Sequence, residues 1–347
     1  MKISEKNIGL NLSPFIIAEM SGNHNQSLDR ALEIVEAASE SGADALKLQT
    51  YTADTITLDV KEREFIIKDK DSLWKRKSLY ELYQEAYTPW EWHEPIMKRA
   101  NELGMLCFST PFDETAVDFL EELDVPAYKI ASPEIIHLPL IRKVASTGKP
   151  MIISTGMASV NEIDETVRTI REANCENFVL LKCTSAYPAT PENSNLLTIP
   201  HMRELFGCEV GLSDHTLGLG AAIAAVAHGS TVIEKHFTLR RADGGVDSAF
   251  SLEPEEMKQL VIETERAWQS LGNVTYGPTN VESKSVLRRR SLYIADDIKK
   301  GDTLTEKNMR IVRPGLGLPP KYYDILLGRK VNKDVKKGTA VEWRMIE

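Results

Sequence analysis

Residues 150–184, PMIISTGMASVNEIDETVRTIREANCENFVLLKCT, are patterned as a strand, a helix and a second strand in succession. The two apolar runs, Met151-Ile-Ile153 and Val179-Leu-Leu181, lack polar alternation, which is typical of parallel strands covered on both faces. Between them, Ser159-Val-Asn-Glu162 matches a capping box and predicts where the helix begins. This stretch therefore indicates a parallel strand–helix–strand unit.

The same unit recurs through about the first 272 residues, where we count eight strand–helix pairs. The predicted strands are 15–20, 45–50, 105–110, 127–132, 150–155, 178–184, 209–214 and 231–237. Eight such units favour a closed (β/α)8 TIM barrel. An open doubly wound sheet is the competing fold, but the glycine-rich turn usual after its first strand is replaced here by Ser21-Gly-Asn-His-Asn25.

One connection of the predicted barrel is unusually long. Residues 51–87 separate the second strand from its helix and are rich in charged and aromatic side chains. Segments of this length on the catalytic face of a barrel commonly form lids or substrate walls. A solvated excursion is the alternative.

The pattern changes after residue 272. Residues 273–286 are polar and predict a linker, whereas residues 287–347 predict a small β-rich domain with turns at Lys300-Gly-Asp302 and Lys337-Gly-Thr339. We therefore expect a barrel over residues 1–272, the linker, and this second domain. A domain of about 60 residues has a small core, so docking should contribute to its stability.

The composition restricts the partners. The chain has 42 Lys and Arg against 51 Asp and Glu, a net charge of −9, which argues against sequence-independent nucleic-acid binding. Its longest weakly polar run, 217–227, is far shorter than the ~20 residues of a membrane span, and its polar N-terminus is unlike a signal peptide. The four cysteines form no Cys-x-x-Cys pair and are expected to be buried free thiols. We expect a cytoplasmic protein without a nucleic-acid or membrane partner.

Polar side chains concentrate at the carboxyl ends of the predicted strands, where a barrel carries its chemistry. They are Glu19, Lys47, Gln49, Ser109, Thr110, Lys129, Ser132, Glu134, Ser154, Thr184, Ser185, Ser213, Asp214, His215 and His236. Lys47 and Lys129 lie within apolar runs, and because a buried unpaired ammonium is costly, each predicts an opposing anion. Two lysines with several hydroxyls suit a phosphorylated carboxylate. Lysines that reach the rim, or that pair with Glu19 or Glu134, are the alternative.

Two histidines end successive predicted strands. His215 and His236 should therefore be neighbours on the barrel rim. Two imidazoles with open positions beside them suit a divalent metal that also binds substrate and water. Hydrogen-bonded core histidines are the alternative.

These residues lie in motifs that resemble the sialic acid synthase family. The motifs are Ile17-Ala-Glu19, Gly22-Asn-His-Asn25, Lys47-Leu-Gln-Thr50, Ser109-Thr-Pro-Phe112, Tyr128-Lys-Ile-Ala-Ser132, Ser154-Thr-Gly-Met157, Gly211-Leu-Ser-Asp-His-Thr216 and Glu234-Lys-His-Phe-Thr238. The second domain, with Arg313-Pro-Gly-Leu-Gly317, resembles the C-terminal antifreeze-like (SAF) domain of that family. The resemblance runs over essentially the whole chain.

Within the family, the chain is most similar to the pseudaminic acid synthases. The features that carry this similarity are Met20-Ser-Gly-Asn-His-Asn-Gln-Ser-Leu28, Ser72-Leu-Trp74, Cys183-Thr-Ser-Ala-Tyr-Pro188 and Gly245-Val-Asp-Ser-Ala-Phe-Ser251. N-acetylneuraminate synthases typically carry Thr-Asn before the equivalent of Ala186, where this chain has Thr184-Ser185. The departure argues for a different acceptor sugar.

The resemblance implies that phosphoenolpyruvate condenses with an amino sugar to give a nine-carbon 2-keto acid and inorganic phosphate. In the pseudaminic acid synthases the acceptor is 2,4-diacetamido-2,4,6-trideoxy-altrose. N-acetylneuraminate or legionaminate synthesis, from N-acetylmannosamine or a diacetamido-trideoxy-mannose, is the close alternative. A Schiff-base aldolase that traps a carbonyl on Lys129 or Lys47 is a more distant one, and so is a non-catalytic sugar-binding protein, which would be expected to have lost these side chains.

The resemblance also implies roles for individual residues. Phosphoenolpyruvate would be bound by Lys47, Thr110, Lys129, Ser132, Ser154 and Ser213. A divalent metal, Mn²⁺ with Mg²⁺ or Co²⁺ as alternatives, would be bound by His215 and His236, and the sugar would be faced by Gln49, Glu134, Tyr187 and Asp247. Arg313 is expected to reach the site of the other subunit in a domain-swapped homodimer. Glu19 or Glu134 is suited to accept a proton during catalysis.

Overall fold

The computed structural model describes residues 1–69 and 73–347. Eight parallel strands close into a barrel in which each strand pairs with the next along the chain and the last pairs with the first. This topology confirms the predicted (β/α)8 barrel and excludes the open sheet. Ser72 of the motif Ser72-Leu-Trp74 lies outside the described residues.

The strands begin and end close to their predicted positions. An N-terminal hairpin is formed by β1 Lys2–Ile3 and β2 Lys6–Asn7. The barrel strands are β3 Phe15–Glu19, β4 Ala45–Thr50, β5 Leu106–Pro111, β6 Tyr128–Ile130, β7 Met151–Ser154, β8 Phe178–Cys183, β9 Glu209–Ser213 and β10 Val232–His236. The helices of the same region are α1 Leu28–Glu40, α2 Ala53–Ile56, α3 Leu79–Ala86, α4 His93–Glu102, α5 Glu114–Glu122, α6 Leu138–Ser146, α7 Val160–Glu172, α8 Thr198–Phe206, α9 Gly220–Ala227 and α10 Pro254–Leu271.

Alternation along the strands divides the apolar residues into two cores. Ile16 and Ala18 belong to the larger core, which packs the strands against the surrounding helices. Phe15 and Ile17 belong to a smaller core that fills the inside of the barrel. Gly211 lies on the inner side of β9, where a Cβ atom would come within 2.4 Å of the Val232 carbonyl oxygen, so only glycine fits.

The long connection between β4 and α4 contains structure of its own. It includes α2 and α3, and α3 begins at a capping box in which Ser78 Oγ accepts from the Glu81 N–H. Ile66 and Ser78 form an isolated antiparallel bridge within the same connection. The described part of this segment therefore contains regular structure. It is not the fully solvent-exposed loop that was the alternative.

The chain divides into two compact units, Met1–Gly272 and Asn273–Glu347. In the second unit, β11 Ser291–Ile294 pairs antiparallel with β12 Met309–Val312, and α11 Ser283–Val286 and α12 Tyr323–Leu326 are single turns. Its separate apolar core includes Leu292, Met309 and Val341. A Cβ atom at Gly317 would lie 2.2 Å from the Leu292 carbonyl oxygen, so the chain can cross β11 this closely only at a glycine.

Two further expectations concern the cysteines and the membrane. All four cysteines are free thiols, and Cys107, Cys175 and Cys183 are buried whereas Cys208 is half-buried. Within residues 1–69 and 73–347, no helix combines the length and the apolar character needed to cross a bilayer.

Candidate active site

A cavity of about 260 Å³ opens at the carboxyl end of the barrel strands. Of the residues that the sequence singles out, it is lined by Glu19, Lys47, Gln49, Lys129, Ser132, Ser154, Tyr187, Ser213, His215, His236 and Asp247. Their elements lie as much as about 200 residues apart in sequence, and only closure of the barrel brings them together. These side chains therefore line one cavity, as expected if the strand ends share a single site.

The alternation that fills the barrel also explains why polar side chains point into this cavity. Ile17 on β3 belongs to the inner core, and Glu19, two residues further on, lines the cavity. On β4 the same step leads from Ala45 to Lys47, and on β10 it leads from Val232 to Glu234. Side chains at i and i+2 share one face of a strand, so each strand contributes an apolar floor and then a polar end.

Lys47 lies at the centre of a buried charge network. Its Nζ is 2.8 Å from Glu19 Oε2 and 3.3 Å from Glu234 Oε1, and it donates to Thr110 Oγ1 at 3.3 Å. Burial alone would lower the pKa of Lys47, but the two carboxylates outweigh it and raise that pKa. Burial raises the pKa of Glu19 to about 7 against the opposing effect of Lys47. The anions that oppose Lys47 are therefore carboxylates of the protein itself. This agrees with the alternative in which Lys47 pairs with Glu19.

Lys129 is less well compensated than Lys47. Its Nζ donates to Ser154 Oγ at 2.7 Å and to the Ile130 carbonyl at 2.9 Å, while the Glu234 carboxylate is 4.0 Å away. Burial lowers the pKa of Lys129 to about 8, although Glu234 opposes this effect. A bound anion beside Lys129 would restore its positive charge, so this position favours an anionic ligand.

Glu234 is a further site residue, for which the motif Glu234-Lys-His-Phe-Thr238 by itself indicated no role. Both lysines hold its pKa below the ordinary value although burial alone would raise it. Its Oε1 atom also accepts from Ser213 Oγ at 3.3 Å. The available signal was its position two residues before His236 on the same strand, because that spacing places both side chains on one face.

The two histidines are close neighbours, with ring centroids 5.3 Å apart. His215 Nδ1 lies 2.9 Å from the Thr184 carbonyl oxygen and donates to it, which leaves the Nε2 lone pair unshared. His236 Nδ1 is buried and has no hydrogen-bond partner among the described residues. Burial together with the neighbouring His215 holds the pKa of His236 well below its usual value, so this imidazole is neutral.

These features fit a metal better than they fit core histidines. A ligating imidazole typically donates its second N–H to a carbonyl, as His215 does, and an orphaned buried nitrogen such as His236 Nδ1 is costly without a ligand. Contacts with Cys183 raise the pKa of His215 despite its burial, so a bound metal would displace a proton there. Across the described ranges, no group of three or more His, Cys, Asp or Glu side chains is arranged to hold a metal ion.

The side of the cavity next to the histidines carries further polar groups. Tyr187 packs against His215 with ring centroids 4.5 Å apart and is 36% exposed. Asp247 accepts from the Ser21 hydroxyl and lies 3.8 Å from His236 Nδ1. Gln49 Nε2 donates to the Glu19 carboxylate at 2.8 Å, which fixes the amide at the rim.

Three of the residues to which the resemblance assigns a role do not line the cavity, and neither do the strand-end residues Ser109, Thr184, Ser185 and Asp214. Thr110 reaches it through its hydrogen bond to Lys47. Glu134 follows Ser132 and Pro133, which do line it, and burial raises the pKa of Glu134 to about 7. Arg313 belongs to the second unit.

The cavity also has an apolar side that the sequence did not reveal. It is lined by Trp74, Leu82 and Ala86 from the long connection and by Phe112 and Val246, which follow two of the barrel strands. We refer to these five side chains as the apolar wall. Leu82 and Ala86 are four residues apart and share one face of α3, but no strand or helix period relates them to Trp74, Phe112 or Val246.

Comparison with known proteins agrees with this geometry. The NeuB family model matches residues 34–276 and the SAF domain model matches residues 289–347. Pseudaminic acid synthase from Campylobacter jejuni subsp. jejuni is 45% identical over 94% of this chain and 95% of its own length, and the Helicobacter pylori enzyme of the same name is 44% identical over 96% and 98%. The crystal structure of N-acetylneuraminic acid synthetase from Leptospira borgpetersenii superposes with a TM-score of 0.74 at 31% identity, covering 82% of this chain and 94% of that one. The chain therefore belongs to the NeuB family of synthases and carries a SAF domain.

Proposed function

We propose that this protein is a pseudaminic acid synthase, which joins phosphoenolpyruvate to 2,4-diacetamido-2,4,6-trideoxy-altrose. The observation that carries this proposal is one cavity in which Lys47 and Lys129 lie beside the pair of imidazoles. Carbon 3 of phosphoenolpyruvate attacks the aldehyde carbon of the open-chain sugar, water adds to carbon 2, and phosphate leaves with its bonding electrons. The products are pseudaminic acid and inorganic phosphate, so atoms and charge balance.

The binding site for phosphoenolpyruvate lies at the inner end of the cavity. Lys129 gains a counter-anion there, and Lys47, Thr110, Ser132, Ser154 and Ser213 complete a set of cations and hydroxyls suited to a carboxylate and a phosphate. Fixed donors of this kind also stabilise the negative charge that moves onto phosphate as it departs.

His215 and His236 would hold a divalent cation, for which we propose Mn²⁺, with Mg²⁺ or Co²⁺ as alternatives. When bound, such an ion polarises the aldehyde oxygen and lowers the pKa of a coordinated water. Thr184 fixes the ring of His215 through its carbonyl, and Asp247 lies against His236. The first contact orients His215 before any ligand arrives, whereas His236 Nδ1 makes no hydrogen bond among the described residues.

We propose that Glu134 accepts the proton of the attacking water; it does not line the cavity itself but interacts electrostatically with Lys129 and Tyr83, which do. Its Oε2 atom is buried without a hydrogen-bond partner among the described residues, and burial raises its pKa to about 7. Glu19 is the alternative base, but Lys47 and Gln49 already occupy its oxygens. A base whose pKa lies near the working pH transfers protons most effectively.

We infer that Gln49, Tyr187 and Asp247 bind the sugar from the side of the histidines. We further propose that the chain forms a domain-swapped homodimer in which Arg313 acts at the site of the other protomer, and that the reaction takes place in the cytoplasm. Buried free thiols such as Cys107 are typical of a reducing compartment, which supports this location.

Phosphate release from phosphoenolpyruvate in the presence of Mn²⁺ tests the proposed function. The purified protein is offered 2,4-diacetamido-2,4,6-trideoxy-altrose, N-acetylmannosamine or a diacetamido-trideoxy-mannose in parallel, with a Lys129→Met variant as the inactive control. We expect the altrose derivative to give the highest kcat/KM. If N-acetylmannosamine or the mannose derivative is preferred, the protein is an N-acetylneuraminate or legionaminate synthase, and if no acceptor releases phosphate the proposal is wrong.

A further inference from the structure

The apolar wall occupies the part of the cavity that the proposed reaction leaves unexplained. The charged groups, Lys47, Lys129 and Glu234, lie on the barrel strands themselves. The apolar wall instead comes from segments beyond the strand ends, with Leu82 and Ala86 on α3. Because loops that follow the strands form the mouth of a barrel site, the apolar wall lies on the outer side of the charged groups.

The apolar wall is held in place by a contact between two of its members. Trp74 Nε1 donates to the Val246 carbonyl oxygen at 2.9 Å, which joins the long connection to the segment after β10. The only polar atom of the indole is thereby used, so the ring presents only carbon to the cavity. The ring centroids of Tyr187 and Trp74 are 6.0 Å apart, so Tyr187 lies between the apolar wall and His215.

The opposite end of the apolar wall is fixed by aromatic contacts. Phe112 packs edge-on against Tyr51 with ring centroids 5.1 Å apart, and Tyr51 packs in the same way against Tyr83 of α3 at 5.6 Å. Leu82, the preceding residue of that helix, is only 7% exposed. The side chains of the apolar wall contribute no free hydrogen-bond donor or acceptor.

We propose that the apolar wall binds the methyl groups at the far end of the acceptor, namely the C6 methyl and the methyl of the C4 acetamido group. This inference rests on the proposed function, because the aldehyde carbon must approach phosphoenolpyruvate at the inner, charged end. An open-chain hexose then extends outward, and carbons 4 to 6 reach the mouth of the cavity. Trp74, Leu82 and Phe112 thus determine which acceptors are used.

The chemistry of the apolar wall gives the direction of the selectivity. A methyl group at carbon 6 gains by leaving water for a carbon-lined surface. A hydroxyl at the same carbon loses its hydrogen bonds to water and finds no partner on these five side chains. Apolar pockets discriminate against an added hydroxyl by about 10- to 100-fold, so a preference of that order is expected here.

A matched pair of acceptors tests this inference in the unaltered enzyme. The pair is 2,4-diacetamido-2,4,6-trideoxy-altrose and the same sugar with a hydroxyl at carbon 6, each assayed for phosphate release with phosphoenolpyruvate and Mn²⁺. We expect kcat/KM to be about 10- to 100-fold higher for the 6-deoxy sugar. Equal values would overturn the assignment of the apolar wall while leaving the proposed function intact. Absence of turnover with both sugars would instead refute the proposed function and this inference with it.

A pair of variants on one helix locates the preference. Leu82→Asn places an amide in the apolar wall and is expected to reduce the preference for the 6-deoxy sugar by about tenfold, chiefly through KM. Leu79→Asn makes the same change on α3 outside the cavity lining and should leave the preference as it was. If both variants keep the wild-type preference, or both lose it equally, Leu82 does not contact the acceptor. Thermal unfolding of each variant identifies any loss caused by misfolding, in which case Trp74→Gln replaces Leu82→Asn.

Discussion

Lys235 Nζ lies 2.8 Å from Asp214 Oδ2, and it also donates to the carbonyl oxygens of Thr216 at 2.7 Å and Gly218 at 2.9 Å. Asp214 Oδ1 accepts from the Thr216 N–H at 2.9 Å. Lys235 is 1% exposed and Asp214 4%. All three donors of the ammonium are therefore satisfied by one turn, which folds around the lysine.

This ion pair holds the backbone that carries both imidazoles. Lys235 precedes His236 on β10, and Asp214 precedes His215 after β9. Loss of one partner from a buried pair leaves an uncompensated charge, so we expect Lys235→Met to lower the free energy of unfolding by about 3–5 kcal/mol. Because the two rings would lose their fixed separation, the affinity for Mn²⁺ should also fall.

Urea unfolding and Mn²⁺ titration followed by electron paramagnetic resonance measure the two effects separately. Lys182→Met is the matched control, since Lys182 is a half-buried lysine of a barrel strand that donates to the Cys183 carbonyl. A folded Lys235→Met protein with wild-type Mn²⁺ affinity would show that the ion pair stabilises the fold without positioning the histidines.

His215→Ala and His236→Ala should each abolish phosphate release and weaken Mn²⁺ binding. Each change removes one imidazole ligand and no backbone-to-backbone hydrogen bond of the barrel; His215→Ala also loses the bond to the Thr184 carbonyl, so the thermal unfolding temperature should change little for His236→Ala and only modestly for His215→Ala. The control is His201→Ala, an exposed histidine of α8. Wild-type turnover by either variant after treatment with a chelator and addition of Mn²⁺ would rule out the proposed metal site.

Turnover should rise with pH through about 7. Burial raises the pKa of Glu134 to about 7, and a general base acts only when ionised, so activity is lost as the pH falls below that value. Glu134→Gln cannot titrate, and we expect it to lower kcat by about 10²- to 10⁴-fold. The profile of kcat against pH should then lose its dependence on this carboxylate. A variant that keeps both its rate and its acidic limb would move the role to Glu19.

Two buried histidines should make the fold sensitive to acid. His24 Nδ1 accepts from the Gln26 N–H, and His93 Nε2 lies 2.8 Å from Thr50 Oγ1. Burial lowers the pKa of both to about 4, from an ordinary value of about 6.5. The unfolded chain binds protons below 6.5 that the folded chain refuses, so stability is lost as the pH falls from about 6.5 to about 4.

The expected loss is on the order of 3 kcal/mol for each histidine over that window. Urea unfolding at a series of pH values measures it, and His24→Asn should reduce the slope of stability against pH. His201→Asn serves as the exposed control, with an unchanged slope. Glu19 and Glu134, whose pKa values burial raises to about 7, change stability in the opposite direction over this window, so the test is the difference between the wild-type and His24→Asn slopes. Equal slopes for these two proteins would contradict the assignment of His24 as a neutral buried ring.

The proposed exchange between protomers predicts complementation. Arg313→Ala and Lys129→Ala proteins should each turn over slowly, because each lacks one part of every site. After the two are mixed and allowed to exchange subunits, some dimers combine an intact Lys129 with an intact Arg313, and phosphate release should recover in part. Analytical ultracentrifugation confirms that mixed dimers form. Mixed dimers without recovered activity would mean that each chain supplies its own arginine.

The barrel was predictable because its signal is repeated. Each strand is a short apolar run, and the predicted strand 45–50 coincides with β4 Ala45–Thr50. The polar residues at the carboxyl ends of the strands could be predicted because the same periodicity shows where each strand ends. Glu234 escaped assignment because one carboxylate beside a lysine is common on any surface, and its contact with Lys47 arises only when β10 closes the barrel against β3.

The apolar wall was not predictable for a different reason. Trp74 and Val246 are 172 residues apart, and they meet because an indole N–H finds a backbone carbonyl. Neither residue belongs to a strand or to a helix of the structure, so no period relates them. A long charged segment can also remain exposed to solvent, and only tertiary contacts determine whether it packs over the cavity.

The insertion between β4 and α4 separates two tasks within one enzyme. The charged side chains of the site, Lys47, Lys129 and Glu234, lie on the barrel strands, whereas Trp74 and Leu82 belong to a connection that adds no strand to the barrel. On the proposed role of the apolar wall, substitutions in this connection would change which sugars fit at the mouth of the cavity and leave the side chains proposed to bind phosphoenolpyruvate in place. Acceptor preference could then diverge among related enzymes without any change to the barrel strands.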